Sequence, residues 1–296
     1  MPRPTPIRGL GPDSRLEEAA RRLVSSRLAD VRHEQDALDG QLTEDGVHDL
    51  RVATRRLRAA LKVFRRMGGL APLEREVKKL QDALGEVRDL HVQGAWLKQV
   101  ARKEKPAKRA GFEALRASVE SPLGAKEQRL RRVLKRWDAR TVPALLDEAK
   151  RLKGPGRYGG PRVRRQLRRR LREVKRLIED YAAAPDAPTA HELRKEVKKL
   201  RYEAELFRPA MRRRMEALLE ALVPLQELLG ELHDADVRLG LLEGFAAKGT
   251  AAERTAARAL QERVREERAE RAARTARELQ RWHTERLTRG LRQLLD

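Results

Sequence analysis

Leucine, alanine and valine recur every three or four positions along most of this 296-residue chain, and almost nowhere do they alternate with polar residues. That period is helical, so a series of amphipathic helices is expected and no sheet. The first helix is expected from a cap at Asp13 or Ser14 to about Leu38. A second runs from about Asp45 to Met67, where Gly68-Gly69 stops it, and a third from Pro72 to about Ala101. After Pro106 a fourth is expected over roughly 108–136, then a short one over about 142–152. Four glycines and two prolines in the nine residues 153–161 cannot continue a helix and mark a junction. Beyond it the pattern resumes over about 162–183, then from Thr189, where Thr189 and Glu192 form a capping box. A helix over 211–246 is expected to kink or break at Pro224, and a long run over about 250–294 closes the chain.

The same pattern occurs twice. His48-Asp49-Leu50-Arg51 opens a run through Arg55, Leu57 and Arg58 to Phe64, and His191-Glu192-Leu193-Arg194 opens another through Lys198, Leu200 and Arg201 to Phe207, at an offset of 143 residues. On a helix turning about 100° per residue, His48, Arg51, Arg55, Arg58 and Lys62 share a stripe about 80° wide. Leu50, Ala53, Leu57, Ala60, Leu61 and Phe64 form a separate arc that faces a core. His191, Arg194, Lys198 and Arg201 repeat the stripe, with Leu193, Leu200, Ala204 and Phe207 inward. Val24, Leu28 and Val31 match Leu167, Leu171 and Val174 at the same offset. Further on the offset is 145: Leu84-Gly85-Glu86 and Asp89 match Leu229-Gly230-Glu231 and Asp234, and Trp137 matches Trp282. The chain is therefore expected to be all-α, two tandem four-helix bundles made by duplication. A lead over 1–13 is expected to be disordered, followed by bundles over 14–153 and 162–296 joined by a linker over 154–161.

Charge changes the picture from fold to function. Lys and Arg number 68 against 45 Asp and Glu, a net +23, carried by both halves: +13 over residues 1–154 and +10 over 155–296. Such a field attracts polyanions. Like charges three and four residues apart repel, and a sequence that accepts this twice at matched positions points to an anion that offsets it. The chain has no cysteine, which excludes disulfides and thiolate chemistry. It has no apolar run of membrane-spanning length and no signal-peptide core after Met1, so a cytoplasmic protein without a membrane partner is expected.

With Val47-His48-Asp49-Leu50-Arg51-Val52-Ala53-Thr54-Arg55-Arg56-Leu57-Arg58, Leu84-Gly85-Glu86-Val87-Arg88-Asp89 and their second-half counterparts in place, the chain resembles the CHAD family, the conserved histidine α-helical domain. The resemblance spans residues 14–296 and implies two four-helix bundles related by a pseudo-twofold. It also implies a central basic groove or pore that binds inorganic polyphosphate, in some members at polyphosphate granules. The triphosphate tunnel domain that accompanies some members has no counterpart here. The second copy departs where Val52 and Ala53 become Lys195 and Glu196, and where Arg88 becomes His233.

Arginine suits phosphate oxygens because its planar fork donates two charge-assisted hydrogen bonds at once, and histidine adds a donor whose charge a nearby polyanion favours. The residues expected to bind polyphosphate are therefore His48, Arg51, Arg55, Arg58, His191, Arg194, Lys198 and Arg201, then Arg88 and His233, and less centrally Arg56, Lys199, Arg22, Arg165 and Lys62. Gly85 and Gly230 are expected to allow close helix approach, Asp89 and Asp234 to orient a cation, and Trp137 and Trp282 to pack. No catalytic residue, cofactor or metal is expected: there is no Walker loop and no HExxH. Asp49 and Glu192 point about 100° away from the neighbouring histidines, which leaves a multi-histidine metal site the weaker alternative. The stronger one is nucleic acid, bound weakly through its phosphates. Aromatics at 3% provide few stacking platforms for it.

Overall fold

The computed structural model describes residues 4–283, together with 290 and 293. It is all-α: α1 (Leu16–Asp36), α2 (Glu44–Val63), α3 (Leu70–Lys103), α4 (Pro106–Glu120), α5 (Leu123–Arg136), α6 (Val142–Arg151), α7 (Pro161–Ala183), α8 (Ala187–Phe207), α9 (Arg212–Lys248) and α10 (Ala251–His283). A single π turn, Trp137–Thr141, joins α5 to α6. Among the described residues the only extended pairing is one antiparallel bridge, Arg15 to Arg157. The expected continuation of the last helix to 294 lies mostly outside the described residues.

The apolar arcs became the cores. Leu50, Ala53, Leu57, Ala60, Leu61 and Phe64 of α2 are buried, as are Leu193, Leu200, Ala204 and Phe207 of α8. Each fully buried leucine or phenylalanine contributes about 1.5–3 kcal/mol. α1 packs on α2 and α6, α8 on α9, and α9 on α10. Trp137 and Trp282 are buried, in line with a packing role.

The chain divides into two compact units. The first comprises residues 1–92, 120–161 and 209–211, and the second 93–119, 162–208 and 212–296. The division does not follow the two halves of the sequence. The end of α3 and all but the last residue of α4 cluster with helices that lie far along the chain. Within the second unit α4 is held to α10: Ser118 donates to Glu253, Glu104 pairs with Arg263, and Gly111 stands against Ala252 and Ala256. Each unit carries one ion pair at matched places: Arg129 with Glu86 in the first, and Arg274 with Glu231, 3.2 Å apart, in the second.

Several expected boundaries moved. The helix expected over 108–136 is two, because Pro122 at the break has no N–H to donate. α1 starts after Arg15, which makes no side-chain cap, and Ser14 instead accepts from Gly11 N–H. The cap of α8 is Asp186, which accepts from Thr189 N–H at 2.8 Å, while the Thr189 hydroxyl donates to Ala184. α9 runs unbroken through Pro224, whose lost hydrogen bond frees the carbonyl of exposed Glu220 to meet water.

The lead is not the disordered segment expected from its composition. Residues 4–13 lie along α1: Arg27 donates to Thr5 O, and Arg22 to the carbonyls of Arg8 and Gly9. The glycine-rich segment is pinned to the same place. Leu16 N–H donates to Gly156 O, Tyr158 N–H to Ser14 O and Gly159 N–H to Pro12 O, and the Tyr158 ring is wholly buried. Gly159 is required because a Cβ there would stand 2.8 Å from Pro12 Cβ and 2.9 Å from its Cα. Gly159→Ala is expected to cost about 1–3 kcal/mol, seen as a lower urea midpoint. Gly124→Ala, with open space at its Cβ, serves as the control and should not lower it.

Candidate functional site

Each unit places the opening histidine of its motif helix beside one basic side chain of the next helix. In the first unit these are His48 on α2 and Arg88 on α3. Arg88 also donates to the carboxylate of Glu44, at 2.8 Å, and to the Glu44 carbonyl, which ties α3 to the first turn of α2. Burial, and after it the Arg88 charge, hold His48 below the ordinary histidine range. In the second unit His191 on α8 and His233 on α9 face each other with ring centroids 5.3 Å apart, tilted by 38°. Burial, then the charges of Arg194, His191 and Lys198, push His233 down to about 4. Arg88 and His233 are matched at the offset of 145, so one juxtaposition is built twice from different side chains.

From each histidine the stripe runs along its helix. Arg51, Arg55, Arg194 and Lys198 are all half-buried. Arg51 lies over Gly85, its guanidinium 3.7 Å from where a Cβ would be, and at Gly230 nothing lies within 4 Å of that position. The two glycines therefore do not serve the close helix packing expected of them. They leave room beside the stripe. Burial raises the Asp234 carboxyl above the ordinary range, against the charges of Arg194, Arg238, Lys198 and Arg271. Arg238, which the repeat did not single out, lies over the ring of Trp96 at 4.9 Å.

The far end of each stripe is different. Arg58 pairs with Glu74 at 2.6 Å and reaches Gln81, and Lys62 stands 3.7 Å from the same Glu74. Arg201 pairs with Glu205 at 3.1 Å. Both arginines and their carboxylates are less than a fifth exposed. Lys199 pairs with Glu196, which with Glu203 also holds Arg170 of α7. The last turn of each stripe therefore carries acids: Arg58 and Arg201 are paired internally, and Lys62 stands beside the carboxylate that holds Arg58. Glu205, four residues after Arg201, was readable in the sequence; Glu74, on another helix, was not.

The remaining candidates separate from the stripe. Arg56 is buried, only 8% exposed, and its charge acts on Glu34 of α1. Arg22 is occupied with Glu18 and with the lead. Arg165 is exposed on α7. Among the described residues no group of three or more His, Cys, Asp or Glu side chains could hold a metal ion, and no helix is long and apolar enough to cross a membrane.

Two predictions come from this geometry. Arg58→Ala and Arg201→Ala each remove the arginine held by a largely buried carboxylate, so each is expected to cost about 1–3 kcal/mol in urea denaturation. Arg55→Ala, on the open part of the stripe, is expected to change stability by about 0.5 kcal/mol or less. His233 sheds its proton in the folded protein until pH falls to about 4, whereas in the unfolded chain it binds one near the ordinary value of about 6.5. Between those values the unfolded state holds more protons, so folding stability falls as pH drops from about 6.5 toward 4. In His233→Gln that part of the decline is expected to vanish. The stability difference between the two proteins should vary within this window and stay constant above pH 7.

Comparison with known proteins places the chain. The CHAD domain family model matches residues 22–243. The crystal structure of the CHAD domain from the plant Ricinus communis is similar with a TM-score of 0.64 and 25% sequence identity, covering 100% of this chain and 96% of that one. PptA from Streptomyces chartreusis is similar with a TM-score of 0.64 at 14% identity, covering 90% of this chain and 100% of that one, a likeness of fold. No curated protein matches the sequence.

Proposed function

The chain belongs to the CHAD domain family, and from that premise we propose that it binds inorganic polyphosphate, without transforming it, through the histidine-headed parts of its two basic stripes. The observation that carries this reading is the doubled juxtaposition of His48 with Arg88 and of His191 with His233, each at the head of a row of cations. A flexible chain of phosphates, with about one negative charge on each, can follow such a row. Arg51 and Arg55 on α2, and Arg194 and Lys198 on α8, succeed one another at one turn, about 5–6 Å along the axis. They donate charge-assisted hydrogen bonds to successive phosphates. The lowered His48 and His233 are neutral in the free protein near pH 7, and the approach of a polyanion favours their charged forms. Proton uptake therefore accompanies binding, and affinity rises as the solution is acidified from pH 7. The same reading extends to association with polyphosphate granules.

The test is calorimetry with long-chain polyphosphate, orthophosphate and ATP, and competition against duplex DNA at physiological salt. Long chains are expected to bind far more tightly than either small anion and to displace DNA. Arg51→Ala with Arg55→Ala, and Arg194→Ala with Lys198→Ala, should each weaken polymer binding by about 1.5–3 kcal/mol for every charge-assisted hydrogen bond removed. Comparable affinity for orthophosphate and polymer, or for DNA and polymer, would overturn the proposal.

A further inference from the structure

α7 carries a second row of arginines that the motif helices do not explain. It contains nine basic and three acidic residues. Its apolar residues, Val163, Leu167, Leu171, Val174 and Ile178, are buried on one side. At about 100° per residue, Arg162, Arg165, Arg169 and Arg172 lie within about 80° of one another, on the side opposite that core. All four are exposed. Arg176 continues the row but is engaged by Glu173 and Asp180. Among the described residues no carboxylate lies within ion-pair distance of Arg162, Arg165, Arg169 or Arg172. Glu203 feels the charge of Arg169, but its own hydrogen bonds go to Arg170 and Gln166.

The fold does not demand this row. At the offset of 143 the matching positions on α1 are Ala19, Arg22, Ser26 and Ala29, and α1 has four Lys and Arg against five acidic residues. One copy of the helix thus holds a line of like charges one turn apart, at a cost in mutual repulsion, and the other does not. The cations are arginines, suited to phosphate oxygens. No aromatic, Asn, Ser or Thr stands among the four to stack on bases or read their edges, and the one amide between them, Gln166, donates to Glu203. Neither of the exposed large apolar residues, Leu146 and Val237, lies on α7, so the face lacks the apolar anchor of a helix that lies in a lipid surface.

We propose that this outer face of α7 is a second polyanion-binding surface, and that its occupant is a further stretch of inorganic polyphosphate. The proposal rests on the polyphosphate reading of the α2 and α8 stripes and adds a place where a second chain, or a distant part of the same chain, is held. The cationic side chains of α8 descend from a different arc of that helix than Glu196 and Glu203, which meet Arg170 of α7. The α7 row therefore acts separately from the stripe. A protein with both surfaces gathers polymer as well as binding it.

The experiment uses the full chain with Arg162→Gln, Arg165→Gln, Arg169→Gln and Arg172→Gln together. Glutamine keeps the helix, and circular dichroism and the thermal midpoint check that it has done so. Titration with short-chain polyphosphate is expected to show two binding events in the parent and one in the variant. The lost event should carry a salt slope of about 3, from four cations at roughly 0.7 each, borrowed from single-stranded nucleic acid. Light scattering with long-chain polymer should fall in the variant, while the first event keeps its affinity within about threefold. An unchanged number of events and unchanged scattering would overturn the proposal and leave the primary reading standing. A second event seen with duplex DNA or with anionic vesicles, and not with polyphosphate, would overturn it in favour of that ligand. Failure of parent and variant alike to bind polyphosphate would overturn both readings.

Discussion

A helix can hold a row of like charges against their own repulsion only if another arc of the same helix is anchored in a core. α2 and α8 meet that condition with complete apolar arcs, from Leu50 to Phe64 and from Leu193 to Phe207. A few buried leucines and a phenylalanine outweigh several pairs of repelling cations, each worth only about 0.2–0.5 kcal/mol at the surface. The rest of the site follows from that imbalance. Acids need not accompany every cation; at the last turn Glu74 and Glu205 pair with arginines that are mostly out of water. Toward the histidines the surroundings are dry enough to hold His48 and His233 below their ordinary range.

The features legible in the sequence were those set by local periodicity. The helical character, the inward arcs of α2 and α8 and the burial of Trp137 and Trp282 all follow from spacing along one helix. What eluded it depended on partners distant in sequence. Glu74 is invisible beside Arg58 until α3 packs on α2. Arg56 carries a charge in the motif but is buried, and its charge reaches Glu34 of α1. Residues 4–13, rich in proline and polar residues, read as disordered because their partners, Arg22 and Arg27, are cations whose donors go to backbone carbonyls. Boundaries erred where two signals competed. Asp186 caps α8 ahead of the capping box read at Thr189, and Pro122 ends a helix that the leucine period carries across it.

The two histidine sites share a plan and differ in chemistry. The first unit places an arginine beside its histidine. The second sets two imidazoles together, with ring centroids 5.3 Å apart, and the charge of His191 is among the causes that hold His233 down.

The partition of the helices also has a consequence for how the chain is made. Phe112, Leu115 and Val119 of α4 are buried, and α4 finds its partner in α10, where Gly111 meets Ala252 and Ala256. During translation α4 leaves the ribosome well over a hundred residues ahead of that partner. For that interval the part of its surface that Ala252 and Ala256 meet stays uncovered, while α5 and α6 emerge. Closing so long a loop costs little more than closing a shorter one, because the entropy grows only with the logarithm of length. The delay is kinetic, and a stalled or truncated chain would present that face to other nascent chains.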